Sequence, residues 1–413
     1  MASDVQPIER LDESSHVVVV GAGLSGWRLV EALRRDGYRG AVTVIGDEQH
    51  RPYDRPPLSK QVLAGVVDLH DTGLVRSDSP NDVTWRLGVA AVGLDLDGRE
   101  VRLADGGRVT ATHVVIATGT RARRLTTSVG KRVHVIRTID DVQGLNDDLA
   151  RVTPGSTIAI IGGGFIGAEV ASSLTKRGFR VVVLEMTPRP LLGVLGEQVS
   201  LWLLDLPALA GVELRTDQQV SDVVEGPDAL LVRVNGSPDV AAEVVVAGVG
   251  AIPNVEWLNG SGLALENGVV VDSAMQAAPG IAAIGDVARF EWLGPVGSTL
   301  VRMEHWQVAN DHATTLARVW LTGERDEVPF IPYFWSDQYG KKIQLLGHPD
   351  PQDDVTRVLG DAESGRWLAL YHRDDVVTGI VALSSPRALM LAKVLLDTPS
   401  TVREAIARAP WSS

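Results

Sequence analysis

Cysteine is absent from all 413 residues. That excludes a disulfide framework, Cys-ligated zinc, an iron–sulfur cluster held by the chain's own thiolates, and a thiol nucleophile. Any electrons or acyl groups the protein handles travel on something other than its own sulfur. Tyrosine and phenylalanine are scarce, at five each against ten tryptophans, and the tryptophan excess by itself points to no ligand. Positive charge is the minority: 39 Lys and Arg face 52 Asp and Glu, for a formal charge of −13. That balance argues against general nucleic-acid binding and against adsorption to anionic lipid. Long apolar runs are missing too. No uncharged apolar run approaches the about 18 residues a spanning helix needs; the one around Val244 to Val255 is broken by glycine and proline. The opening MASDVQPIERLDESSH is polar and carries acids, unlike a signal or transit peptide. The expectation is a soluble, cytoplasmic protein with no nucleic acid, membrane or metal among its partners.

A length of 413 residues suits two or three domains, each able to bury its own core. An internal repeat organises them. HVVVVGAGLSGWRLVEALRRDGYRGAVTVIGDE at 16–48 and TIAIIGGGFIGAEVASSLTKRGFRVVVLE at 157–185 share one order: a β-branched run, a glycine cluster, a helix-period stretch and a second β-branched run. Each reads as a strand–turn–helix–strand unit, and their separation seeds two domains. Residues 83–118 alternate short strands with Asp/Gly turns and end in HVVIATGT. Residues 304–321 carry a helical period. From about 328 the texture turns aromatic and strand-like, and the last 30 residues read as helix. The expected fold is α/β: two Rossmann-like dinucleotide-binding domains and a C-terminal α+β domain. The expected division is 1–119 with 244–327, then 120–243, then 328–413.

Gly21-x-Gly23-x-x-Gly26 follows a strand and opens a helix, as does Gly162-x-Gly164-x-x-Gly167. The first glycine allows the tight turn, the second lets backbone approach a pyrophosphate, and the third lets helix and strand pack closely. One such spacing is weak evidence; two in the same context are strong. In the second copy Glu185 ends the strand, where a carboxylate accepts the ribose hydroxyls of NAD and repels a 2′-phosphate, which favours NADH. Arg189, four residues on, tempers that preference. In the first copy the strand end is Gly46, followed by Asp47 and Glu48. Two dinucleotide sites on one chain suggest FAD plus a nicotinamide.

Over nearly its full length the chain resembles the FAD-dependent, NADH-using ferredoxin reductases of the putidaredoxin-reductase type, which serve cytochromes P450 and aromatic-ring dioxygenases. The resemblance rests on ordered blocks: GAGLSG (21–26), RPYDRPPLSK (51–60), ATGTRAR (117–123), GGGFIGAE (162–169) and GDVA (285–288). EHW (304–306) and YFWSDQYG (333–340) close the series. It implies that Asp47 holds the FAD adenosine ribose and Ser25 lies under the pyrophosphate. It also implies that Arg55 and Arg123 contact the FAD phosphates or adenosine, and that Asp286 bonds the ribityl or pyrophosphate side. Trp306 would set a backbone N–H near the flavin pyrimidine, and Trp335 would help wall that pocket. Thr118, Gly119, Gly250 and Glu304 complete the expected cofactor contacts. Lys60 would lie beside the flavin ring and Glu169 would face the nicotinamide, the two paired as the residues closest to catalysis. A preorganised cation there stabilises charge developing on reduction.

The implied architecture is an FAD domain from two chain segments, an inserted NAD domain and a C-terminal domain covering the flavin. The implied activity is NADH oxidation with single electrons passed through FAD to an iron–sulfur ferredoxin. Two rivals stay open. One is another flavoprotein of the same fold, an NADH oxidase or monodehydroascorbate-type reductase. The other is a signalling flavoprotein like apoptosis-inducing factor. Among the remaining features, His305 and His312 read as helix-face residues, and Arg34-Arg35 and Lys341-Lys342 read as solvated faces. Trp27 stands where relatives carry a small or aliphatic residue, which questions how the first helix packs. The 68–82 segment is short and polar. Residues 106–139 hold seven Arg and Lys and no acid, a candidate basic rim for an acidic ferredoxin.

Overall fold

The computed structural model describes residues 8–126, 131–226, 228–325, 330–361 and 363–412. The chain divides into two compact units. The first comprises Met1–Asp54, Thr72–Arg121 and Ile252–Pro332; the second comprises Arg55–Asp71, Ala122–Ala251 and Tyr333–Ser413. Residues 55–71, 244–251 and 333–413 therefore go with the second repeat. The expected boundary between 327 and 328 lies outside the described residues.

Each repeat folds as its pattern predicts. The first gives β1 (His16–Val20), α1 (Leu24–Arg35) and β2 (Ala41–Gly46); the second gives β3 (Thr157–Ile161), α2 (Phe165–Lys176) and β4 (Arg180–Leu184). Runs of Val and Ile without polar alternation suit parallel strands covered on both faces, and Val17, Val18 and Val19 are fully buried. The first unit's sheet has six strands, in the order Gln276–Ala278, Ile281–Ala283, His113–Ile116, β1, β2, Thr84–Leu87; all but the outermost Gln276–Ala278 run parallel. Helix Trp306–Thr322 packs on α1.

Trp27 resolves how α1 packs. Its side chain is fully buried, with its ring centroid 5.4 Å from that of Trp85 on the edge strand. Arg34 corrects the solvated reading of the arginine doublet. It is buried, donates to the carbonyls of Tyr38 and Gly40 at 3.0 Å each, and pairs with Asp82 at 3.1 Å. Its guanidinium satisfies carbonyls beyond the helix C-terminus, where positive charge also meets the negative end of the dipole. It also anchors the short 68–82 segment through Asp82.

In the second unit five parallel strands run Glu213–Arg215, β4, β3, Val244–Ala247, Val133–His134. Val244–Ala247 belongs there because Ile158 to Ile161 pair with it residue for residue. The C-terminal segment forms a five-stranded antiparallel sheet, ordered Tyr333–Gln338, Lys341–Gly347, Val376–Leu383, Arg366–Arg373, Asp354–Asp361. It is tied to α2 by the Phe165 and Phe334 rings, 4.4 Å apart, and to the 192–203 helix by the Tyr371 hydroxyl, which donates to the Leu195 carbonyl at 2.7 Å. No helix among the described residues is long and apolar enough to cross a membrane.

Candidate functional site

The glycines of the first repeat form a cradle because nothing larger fits. Gly21 has φ +124°, its N–H donates to the Ile45 carbonyl at 2.8 Å, and a Cβ there would lie 2.1 Å from the Ala117 oxygen. A Cβ on Gly26 would lie 2.3 Å from the Gly21 oxygen, so α1 meets the turn backbone to backbone. Gly23, the residue before α1, faces open space and no side chain caps the helix, which leaves its first N–H groups for an anion. Ser25 is buried against Gly285, where a Cβ would meet the serine oxygen at 2.5 Å.

The other expected contacts of this unit gather in three groups. Asp47 is exposed at the end of β2, with the Glu48 N–H 3.0 Å from its carboxylate. Thr118 and Gly119 are latched to Asn254: the Thr118 hydroxyl donates to the Asn254 carbonyl, and the Asn254 amide donates back to the Thr118 carbonyl, both at 2.8 Å. Asp286 sits in the turn Gly285–Val287, with the Thr120 hydroxyl 3.5 Å from its carboxylate. Arg302 donates to the Asp286 carbonyl at 3.0 Å and to Glu304 at 2.7 Å. Trp306 opens its helix and donates its indole N–H to Asp54 at 2.8 Å.

His312 is drawn into this group as well, from the inner face of the 306–322 helix. Its Nδ1 accepts the Gly285 N–H at 3.3 Å, and burial pushes its pKa down to about 3, so the ring is neutral. Only the helical phase of His312 hinted at such a place.

The second repeat repeats the cradle. Gly162 has φ +100°; a Cβ on it would lie 2.4 Å from the Gly248 oxygen, and one on Gly167 would lie 2.0 Å from the Gly162 oxygen. Gly164 faces open space before α2. Glu185 follows β4, with one oxygen accepting the Gly163 N–H at 2.6 Å and the other the Thr187 N–H at 2.8 Å. Arg189 is paired with Glu197. Gly250, at φ +99°, accepts the Arg123 N–H at 2.9 Å through its carbonyl.

Lys60 and Glu169 meet in the same unit. Residues Leu58–Val62 form a turn of π-helix, a form concentrated at functional sites, and it carries Ser59 and Lys60. The Lys60 ammonium lies 2.9 Å from the Glu169 carboxylate, which is 3% exposed. Ser59 donates to one oxygen of that carboxylate and Ser336 to the other, both at 2.6 Å. Gln338 in turn donates to the Ser336 hydroxyl at 3.2 Å. A buried carboxylate is tolerated only with partners of this kind. Ser59, Ser336 and Gln338 lie within the RPPLSK and FWSDQYG blocks, which is the signal that could have found them. Arg55 donates to the Arg137 carbonyl at 2.7 Å, and Trp335 stacks on Tyr333 with centroids 5.8 Å apart. Four of the seven cations of the expected basic rim pair with acids from outside its stretch: Arg108 with Glu100, Arg121 with Glu256, Arg124 with Asp141 and Arg132 with Glu225. Residues 127–130 of that stretch lie outside the described residues.

Two glycine cradles on parallel sheets, one followed by a locked strand-end carboxylate, define a two-dinucleotide oxidoreductase. The chain belongs to the pyridine nucleotide-disulphide oxidoreductase family, which matches residues 15–313, and residues 333–412 match the reductase C-terminal family. It is 33% identical to rhodocoxin reductase of Rhodococcus erythropolis over 92% of this chain and 89% of that one. It is 34% identical to the ferredoxin–NAD(+) reductase subunit of a Pseudomonas putida benzene 1,2-dioxygenase system, over 93% of each. Among solved structures, the covalent putidaredoxin reductase–putidaredoxin complex superposes with a TM-score of 0.87 at 29% identity, over 93% of both chains.

Proposed function

We propose that this protein is an FAD-dependent NADH:ferredoxin reductase, the first component of a cytochrome P450 or ring-hydroxylating dioxygenase system. The observation that carries the reading is the pairing of two dinucleotide cradles with a reductase-type C-terminal sheet in a chain that has no cysteine. Relatives that reduce disulfides need thiols; this chain has none, so its electrons leave for an external carrier. The benzene 1,2-dioxygenase relative is a ferredoxin–NAD(+) reductase subunit, which supports the same acceptor here.

Both cradles fit their dinucleotides. Each places a helix N-terminus over open space at its second glycine, and at the first and third glycines a side chain would collide with backbone. We assign the unit with the first repeat to FAD and the unit with the second to NADH. In the first, Gly21, Gly23 and Gly26 would admit the pyrophosphate to the α1 N-terminus, with Ser25 beneath it. Asp47 would accept adenosine ribose hydroxyls, and Asp286, Thr118, Gly119, Glu304 and Trp306 would orient the remainder. In the second, Gly162, Gly164 and Gly167 would receive the NADH pyrophosphate, Glu185 its ribose, and Gly250 would allow close approach. FAD, when bound, supplies conversion between the two-electron donor and the one-electron acceptor. One NADH then reduces two ferredoxins and releases one proton.

Lys60 and Glu169 are the residues assigned to the reaction itself. Their ion pair, fixed by two serine hydroxyls, supplies charge that does not have to reorganise during reduction. Arg55, Arg123 and Trp335 complete the assigned cofactor contacts. Cytoplasmic residence belongs to the same proposal and rests on the use of NADH as donor.

The experiment is reduction of a panel of [2Fe–2S] and other ferredoxins by the FAD-loaded protein, with NADH and NADPH at equal concentration. NADH-driven reduction of at least one ferredoxin is expected. Fast reduction of oxygen or a quinone with no ferredoxin reduced would favour the oxidase rival. Sluggish flavin reduction with a long-lived charge-transfer band would favour the signalling rival.

A further inference from the structure

Glu185 does not hang free at the end of β4. Three donors surround its carboxylate: the Gly163 N–H at 2.6 Å, the Thr187 N–H at 2.8 Å and the Thr187 hydroxyl at 2.7 Å. The hydroxyl also lies 2.7 Å from the Arg189 carbonyl, and its single proton serves one acceptor at a time. Backbone further pins the place, because Glu185 receives the Gln218 N–H at 2.8 Å on its carbonyl and donates its own N–H to Arg215 at 2.9 Å. A carboxylate with four acceptor sites, two backbone donors in place and a third shared with the Arg189 carbonyl keeps capacity for ribose hydroxyls, and only from the direction those donors leave open.

Arg189 and Arg215, the arginines beside Glu185 along the loop and across the sheet, are both engaged. Arg215, on the neighbouring strand, pairs with Glu213 at 2.6 Å, and Arg180 pairs with the same acid at 2.9 Å. Arg189, in the loop after Glu185, pairs with Glu197. The backbone before Glu197 is kinked: Gly196 has φ +73° and approaches the Pro351 carbonyl so closely that a Cβ would lie 2.1 Å from its oxygen.

We infer that coenzyme selectivity is set by a two-part device in residues 185–197: Thr187 positions the Glu185 carboxylate for unphosphorylated ribose, and Glu197 withholds Arg189 from a 2′-phosphate. The inference rests on the reading of the second cradle as the NADH site. The contacts of Thr187 are with Glu185 and those of Glu197 are with Arg189. They are positioning residues acting through Glu185 and Arg189, and their effects are opposite in kind. Loss of Thr187 weakens the wanted ligand, whereas loss of the Glu197 charge strengthens the unwanted one.

Calorimetry on the FAD-loaded protein tests this with ADP-ribose and 2′-phospho-ADP-ribose, beside kcat/KM for NADH and NADPH. Thr187→Val keeps the backbone donor and the side-chain shape. It should weaken ADP-ribose about 5-fold, the scale of one net hydrogen bond, and leave the 2′-phosphorylated ligand unchanged, while Thr187→Ser restores wild-type binding. Glu197→Gln should tighten 2′-phospho-ADP-ribose about 3-fold, the scale of a partly exposed ion pair, and lose that gain at high salt. Equal effects of Thr187→Val on both ligands, failure of the serine to restore, or no gain with Glu197→Gln would overturn the inference while leaving the NADH site standing. Wild-type protein that binds neither ligand, or prefers the phosphorylated one, would overturn the reading of Glu185 together with the inference.

Discussion

The two glycine repeats share a backbone and diverge in nearly every side chain that matters. Gly21 and Gly162 both take positive φ and abut a neighbouring carbonyl, and Gly26 and Gly167 both let a helix touch its own turn. Position five of the helices shows the divergence. In α1 it is Arg28, paired with Glu31 one turn on at 2.6 Å and about a third exposed. In α2 it is Glu169, buried and held by Lys60, Ser59 and Ser336. The strand-end acids diverge in the same way, Asp47 exposed and Glu185 locked. The cradle is thus a backbone property that glycine spacing alone specifies, whereas the chemistry laid on it depends on partners supplied from distant segments.

Removing the two fifth-position charges should separate the repeats most sharply. Glu169→Ala leaves a buried ammonium and two buried hydroxyls without their acceptor, and should destabilise the protein by about 3–5 kcal/mol. Arg28→Ala removes only a partly exposed pair and should cost no more than about 1 kcal/mol. Chemical denaturation of the two variants side by side reads the contrast, and equal losses would dissolve it. Next in size is the cradle itself. An alanine at Gly26 or Gly167 puts a methyl into a backbone oxygen, a strain of about 2 kcal/mol or roughly 30-fold in affinity. Gly26→Ala should weaken FAD and spare ADP-ribose, and Gly167→Ala should do the reverse. Titration of each ligand against each variant would show whether the assignment of the cradles is inverted.

Both repeats, their strand–turn–helix–strand succession and the Lys60–Glu169 pairing were legible in the sequence because they rest on local periodicity, glycine spacing or a motif block. What escaped it depends on long-range meetings. Ser59 and Ser336 converge on Glu169 from 110 and 167 residues away, and although each lies in a motif block, the block does not say which distant acid it meets. Arg34 looked solvated because arginine doublets usually are, yet the carbonyls after α1 needed a donor and its long stem reached them. The stretch at 106–139 is basic along the chain and partly neutralised in space, since four of its seven cations pair with Glu100, Asp141, Glu225 and Glu256.

Acid should also tell the units apart. Burial depresses His312 to about 3, and it also lowers His113 in the same unit and His348 in the other. Unfolding frees His312 to bind a proton at its ordinary value of 6.5. Between the two values the unfolded state holds the extra proton, so stability rises with pH through that window and is lost as pH falls. At pH 5 the His312 contribution alone amounts to about 2 kcal/mol. Hydrogen exchange at pH 5 against pH 7.5 should show the amides of the first unit losing protection by more than those of the second. His312→Asn, which keeps an acceptor for Gly285 and cannot titrate, should remove that part of the slope. An unchanged slope would place the acid sensitivity elsewhere.

The smallest contrast lies at the far end of the two helices, where Arg34 corresponds to Thr175. Arg34 donates to Tyr38 and Gly40 and ties down the following turn, whereas the Thr175 hydroxyl is buried with no hydrogen-bond partner among the described residues. An orphaned hydroxyl pays its desolvation cost without return, and valine keeps the shape while replacing the oxygen with a methyl group. Thr175→Val should therefore stabilise the second unit by about 0.5–1 kcal/mol, read as a rise in its denaturation midpoint with ADP-ribose affinity unchanged. Arg34→Ala should move stability the opposite way, because it strands two carbonyls and frees Asp82. A loss of stability in Thr175→Val would mean that the hydroxyl has found a bridging water, and the two helix ends would then be alike in being satisfied, differing only in the means.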